Sequence, residues 1–125
     1  MVPKIRTTLD TEAIERARAR NHVPWCDDFE LMISGNMYRA FVQPLVDARL
    51  AARGWMHEYN NTNSEYDNPS LQAKRMDMLR AKLGRVGDDA FIEPNFMVDY
   101  GCNISVGTGF YANFKCVFFC PGPFS

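Results

Sequence analysis

Residues 91–116 read FIEPNFMVDYGCNISVGTGFYANFKC, and the fold turns on how this stretch is read. Ile92, Val98, Ile104, Phe110 and Cys116 recur every six residues, with small, polar or turn-prone residues between them. A six-residue apolar period matches neither a helix, at about 3.6, nor a single strand, at about 2. It fits a parallel β-helix, in which short strands make flat faces and one apolar residue per face points into a narrow interior. Gly101, Gly107 and Gly109 fall where the corners of such a coil need tolerant backbone dihedrals. On the period alone, the alternative is two or three irregular hairpins of an ordinary β domain.

Upstream of this stretch the periodicity becomes helical. A short helix is expected over residues 9–20, capped by Asp10 or Thr11, with Glu12 and Glu15 near its positive end and three arginines near its negative end. Its apolar side, Leu9, Ala13, Ile14 and Ala17, is thin, which predicts a peripheral element. Residues 27–32 read as a further one or two helical turns ended by Gly35, and Met37, Tyr38, Phe41 and Val42 then supply a small apolar cluster. Pro44 opens a longer helix through residue 59, with Leu45, Ala48, Ala52, Trp55 and Tyr59 on one side. Residues 60–69 form a polar loop, and a last helix runs from Pro69 or Ser70 to Leu83, with Met76, Leu79 and Leu83 inward. Gly84 stops that helix, and Gly87 with Asp88 and Asp89 turns the chain into the β segment.

Composition bounds the rest. The chain has 125 residues, enough for one domain with one core, and a formal charge of −1, which points to neither nucleic acid nor an anionic membrane as partner. Cys26, Cys102, Cys116 and Cys120 form no CxxC pair. With His22 and His57 far apart, free thiols in a reducing compartment are the expectation, and a structural metal is not. The amino terminus carries charges throughout instead of a signal-peptide core, and no apolar run reaches the roughly 18 residues of a membrane span. The expected setting is therefore soluble and cytoplasmic. The residues from Val117 onward, with Phe118, Phe119 and Phe124, do not continue the six-residue rhythm and are expected to leave the last coil open.

Residues 30–38 (ELMISGNMY), 53–62 (RGWMHEYNNT), the helix ending at Leu83 and Gly84, and above all residues 92–117 (IEPNFMVDYGCNISVGTGFYANFKCV) resemble the maltose, galactoside and nodulation-type sugar O-acetyltransferases, hexapeptide-repeat acyltransferases, over their amino-terminal half. The resemblance implies a mixed α/β chain: a helical module followed by an incomplete left-handed parallel β-helix, with about 18 residues per turn. It divides the chain into a peripheral extension (1–24), a helical module (25–84), a partial repeat (85–120) and an irregular tail (121–125). It also implies a trimer that moves an acetyl group from acetyl-CoA to a hydroxyl of a sugar or related acceptor, at sites between subunits.

By resemblance, Asn113, Asp99 and Tyr38 match acceptor-site positions. An amide at Asn113 can donate to an acceptor oxygen or hold an imidazole, as acyl transfer requires. Three residues of the repeat have a plainer reading: Asn113 as a corner cap, Asp99 as an acceptor for turn amides, and Tyr111 as a subunit-contact filler. The family's catalytic histidine, and most of the coils that hold CoA, align beyond Ser125, and neither His22 nor His57 matches it. The expectation is a chain without a general base, a loss worth roughly 100-fold to 10,000-fold in rate, and the alternative is a non-catalytic module that associates with full-length relatives.

Overall fold

The chain is seen in a computed structural model that describes residues 8–62 and 69–118, with the side chain of Phe118 not described. The expected tail containing Phe119 and Phe124, Cys120, and most of the polar loop lie outside the described residues. Helix α1 (Thr11–Arg18) starts at Asp10, whose side chain accepts from the Ala13 amide at 3.1 Å. Helix α2 (Asp27–Ile33) follows, then α3 (Gln43–Asn60), with Pro44 in its first turn, and α4 (Pro69–Lys82). Among the described residues, no helix is long and apolar enough to cross a membrane.

Two expectations about the helices are corrected. Most of the thin apolar side of α1 is buried rather than peripheral: Ala13, Ile14 and Ala17 pack against the α2 side of the molecule, while Leu9 stays 42% exposed. Two alanines let the helix backbone come close, and the contact is reinforced by the Asp10 amide donating to Ser34 Oγ at 2.8 Å. Conversely, the cluster expected from Met37, Tyr38, Phe41 and Val42 is split. Tyr38 and Val42 pack inward, whereas Met37 and Phe41 are 73% and 87% exposed.

Six short strands follow: β1 (Arg85–Val86), β2 (Phe91–Ile92), β3 (Phe96–Val98), β4 (Ser105–Val106), β5 (Tyr111–Ala112) and β6 (Cys116–Phe118). They pair in parallel as β1 with β4, β2 with β5 and β3 with β6, giving three faces and two stacked coils. The hairpin alternative is excluded, since hairpins pair antiparallel. Arg85 lies beside Ser105, Phe91 beside Tyr111 and Phe96 beside Cys116, an offset of 20 residues rather than 18.

The extra length sits at one corner, a 3-10 turn over Gly101–Asn103. Each face sends two residues two positions apart toward the interior: Ala90 and Ile92, Phe96 and Val98, Ile104 and Val106, then Phe110 and Ala112. The apparent six-residue step from Val98 to Ile104 therefore joins the second inward position of one face to the first of the next. Gly101 is required by close approach, because a Cβ there would lie 2.5 Å from the Lys82 carbonyl at the end of α4. Gly109 turns its corner at φ +73, and Asp89, in the same place one coil earlier, adopts φ 56.

Where the length predicts one core, the apolar residues divide into two. The larger joins α3 and α4 to the coil interior through Trp55, Tyr59, Leu79, Leu83, Ile92 and Phe96. The smaller joins α1 and α2 to Leu45, Tyr100 and Cys102.

Candidate functional site

The smaller core leads to the site, because its edge carries the segment between α2 and α3. That segment is tied down at three points, by its own Asn36 and by the side chains of Asp28 and Arg49. Asn36 Nδ2 donates to the Thr8 carbonyl at 3.1 Å, the Arg39 amide donates to Asp28 Oδ1 at 2.7 Å, and Arg49 Nη2 donates to the Ala40 carbonyl at 2.7 Å. Asp28 is buried, and its second oxygen accepts from Arg39 Nη2 at 3.4 Å, so the carboxylate has a charged partner as burial demands. Tyr38 is thereby held half-buried at the surface of the core.

Arg49 links the segment of Tyr38 to the corner of Asp99 through Tyr100. Tyr100 is buried, and its hydroxyl accepts a short hydrogen bond from Arg49 Nη1. Burial pushes the Tyr100 phenol above its ordinary range, the Arg49 hydrogen bond and charge draw it partly back, and Tyr38 and Asp99 act on it from close by in the opposite sense to Arg49. Arg49 and Tyr100 thus make a polar neighbourhood that joins the segment of Tyr38 to the corner of Asp99 after β3.

Asn113 is elsewhere. It follows β5, is exposed, and its Oδ1 accepts from the next amide, that of Phe114, at 2.8 Å. Asp99 stands at the corner leading from the β3 and β6 face to the β1 and β4 face. Asn113 stands at the corner at the other end of the β3 and β6 face. One chain does not bring them together. Tyr111 is 59% exposed, stacks on Phe91 with 5.6 Å between ring centroids, and donates to Glu93 Oε1 at 3.3 Å.

Sequence reasoning passed over Arg49, Tyr100 and Asp28. Arg49 had a readable signal: it lies four residues after Leu45 and three before Ala52, both buried, so a cation sits on the apolar side of α3. The two histidines are placed apart from this neighbourhood's hydrogen bonds. His22 Nε2 donates to the Arg80 carbonyl at 3.1 Å, and His57 is exposed on α3 beside Asn61.

Neither of two cavities among the described residues suits acetyl-CoA. One, of about 120 Å³ between α3, α4 and the Gly101 corner, is smaller than a drug-sized ligand needs. The other, an open groove of about 610 Å³ beside α4, presents Asp77, Asp88 and Asp89 against Arg80, the wrong sign for phosphates. Donor binding is accordingly assigned to no residue in them.

Comparisons with known proteins bear on the family and the fold. The maltose acetyltransferase hexapeptide capping motif matches residues 31–87. Nodulation protein L of Rhizobium meliloti (strain 1021) is 43% identical over 89 residues, covering 70% of this chain and 45% of that protein. A solved maltose O-acetyltransferase from Clostridium difficile 630 superposes with a TM-score of 0.67 at 34% identity, covering 78% of this chain and 50% of the other. A galactoside acetyltransferase solved in complex with coenzyme A gives 0.58 at 30% identity, covering 72% and 42%. The chain therefore spans about half the length of the relatives it matches. Over the part that aligns, a helical module followed by a left-handed parallel β-helix is the fold the chain shares with these relatives, incomplete in this chain, and the chain belongs to the hexapeptide-repeat sugar O-acetyltransferase family of the maltose, galactoside and nodulation types.

Proposed function

We propose that this chain supplies acceptor-side residues of an acetyl-CoA-dependent O-acetyltransferase acting on a hydroxyl of a sugar or related acceptor. The observation that supports it most is that Arg49 bonds both the segment carrying Tyr38, at the Ala40 carbonyl, and the corner carrying Asp99, at the Tyr100 hydroxyl, where the helical module meets the coil. A carboxylate accepts from sugar hydroxyls and a phenol both donates and accepts, which suits a polyol. Acetyl-CoA supplies the acetyl thioester in such chemistry. Asn113, at a separate corner, fits a site completed between subunits of a trimer, where the corner of one prism faces that of its neighbour. The compartment consistent with this donor and with a charged amino terminus is the cytoplasm.

The reaction needs a base for the attacking hydroxyl. His22 lines a cavity with Tyr100 but gives its Nε2 proton to the Arg80 carbonyl, and His57 is exposed on α3 near Asn61, so the base is assigned to neither. The proposal is that this 125-residue chain binds acceptor and does not turn over alone. Thiol release from acetyl-CoA by the purified chain, with maltose or a galactoside as acceptor, is expected at background, and clear turnover would refute the claim of inactivity. A second reading, a non-catalytic module that associates with full-length relatives, is favoured by the exposed Met97, Phe114 and Val117 along the coil. Co-expression with a full-length relative is expected to give a mixed oligomer on size exclusion, and a monomer indifferent to that partner would sink this reading.

A further inference from the structure

We propose that Arg49 is the positioning residue of the acceptor site, a clamp that fixes the Tyr38 segment and the Asp99–Tyr100 corner at one separation. The inference rests on the acceptor reading above. Tyr38 lies in a segment without helix or strand between α2 and α3, whereas Asp99 is carried by the coil. Two groups that must contact the same sugar hydroxyls from separate elements need a rigid connection, because a displacement near 1 Å already costs much of a site's binding and rate.

Arg49 makes that connection from a third element, α3. One terminal nitrogen donates to the Ala40 carbonyl at 2.7 Å, two residues past Tyr38, and the other donates to the Tyr100 hydroxyl, one residue past Asp99. The guanidinium carbon also sits 5.8 Å from the Phe41 ring centroid and 5.7 Å from that of Tyr100, so the same two elements are held by their rings as well as by hydrogen bonds. A planar fork presents donors on two separate nitrogens to the two partners, whereas a lysine ammonium has its three donors on one nitrogen and no planar face to lay on the rings. The clamp also accounts for Phe41, which remains 87% exposed although the carbonyl before it is hydrogen-bonded.

The test uses the full chain, with maltose and methyl β-galactoside as probes and amide NMR shifts at Tyr38 and Asp99 as the binding signal. Arg49→Met is expected to weaken probe binding about tenfold, the scale of lost hydrogen bonds to a charged group, and Arg49→Lys to recover little of it. Tyr100→Phe keeps the ring and loses the hydroxyl, and is expected to weaken binding a few-fold. Amide shifts of Leu79 and Ile92, in the other core, are read alongside and stay unchanged in a folded variant. If Arg49→Met fails to fold, Arg49→Lys and Tyr100→Phe carry the comparison. A merely structural arginine would lower the unfolding midpoint and leave the folded protein's affinity alone. Affinities within twofold of the parent for both Arg49→Lys and Tyr100→Phe overturn the clamp and leave the acceptor reading standing. Probe shifts that are absent from the parent chain, or that fall away from Tyr38 and Asp99, overturn the acceptor reading and the clamp with it.

Discussion

The two coils have nearly the same backbone and opposite surroundings. In the first, Ile92, Phe96 and Val98 are buried, and helix side chains take the places a preceding coil would fill. Asn60 accepts from the Phe96 amide at 2.8 Å and donates to the Phe96 carbonyl at 3.1 Å, as the backbone of a neighbouring strand does. The Tyr59 hydroxyl donates to the Ile92 carbonyl at 2.6 Å, Gln72 Nε2 to the Ala90 carbonyl at 3.2 Å, and Met56 Sδ accepts the Val98 amide. In the second coil Phe110 and Cys116 are only partly buried, and Tyr111, Phe114 and Val117 stand out from it. A repeat cannot bury its own edge, so something foreign to the repeat must finish it, and α3 with α4 does this for the first coil.

The largest break in this contrast is expected from Phe96→Ala. Phe96 is fully buried with Trp55 and Tyr59 at ring distances of 5.8 and 5.9 Å, so its loss should cost about 4 kcal/mol of unfolding free energy, measured by denaturant titration. A cost below about 1 kcal/mol would mean the cap is not packed as described. Asn60→Ala comes next, at about 2 kcal/mol, because it removes the amide that bonds both polar groups of the Phe96 backbone. A neutral result there would show that water replaces the amide and that the edge is less enclosed than the first coil's burial indicates.

Much of this contrast was legible in the sequence, and the part that was not has a physical cause. Helices were readable because Leu45, Ala52, Trp55 and Tyr59 keep a helical period against one surface. The coil was readable as a six-residue rhythm, but the rhythm hid two inward residues per face and a longer corner at Gly101–Asn103, since period alone does not say where a turn takes extra residues. Tyr38 and Asp99 came from resemblance. Arg49 and Asp28 depend on contacts 9 and 11 residues away in sequence, with Ala40 and Arg39, and on the wider reach to Tyr100, none of which leaves a local pattern.

A smaller effect separates the coils by pH. Tyr59, inside the cap, is pushed well above its ordinary range, chiefly by burial, with Arg75 drawing it partly back. The folded state therefore holds the phenolic proton more tightly than the unfolded chain, where it leaves near pH 10. The stability linked to this proton is complete below about pH 10 and declines above it, by about 1.4 kcal/mol per pH unit for one such group. Tyr59→Phe should flatten the alkaline limb of the stability curve, while losing the Ile92 hydrogen bond at neutral pH. A limb unchanged in Tyr59→Phe would assign the alkaline loss to Tyr100, whose phenol is raised in the same direction.

The smallest effect is expected on the open coil. Phe114 is 57% exposed at the corner between β5 and β6, so Phe114→Ser should change the stability of a dilute monomer by no more than about 0.5 kcal/mol. The same substitution sharpens the comparison when protein concentration is varied. If copies of the chain, or a full-length relative, cover this flank, the cost of Phe114→Ser should grow with concentration or with the partner, because a ring buried only in the assembly stabilises only the assembly. The matched change in the capped coil, Phe96→Ala, should cost the same at every concentration, since α3 already covers that ring within one chain. Concentration dependence at Phe114 and its absence at Phe96 together would show that the helices cap one coil and a second chain completes the other. Equal behaviour at both positions would leave the open flank as ordinary solvent-exposed surface.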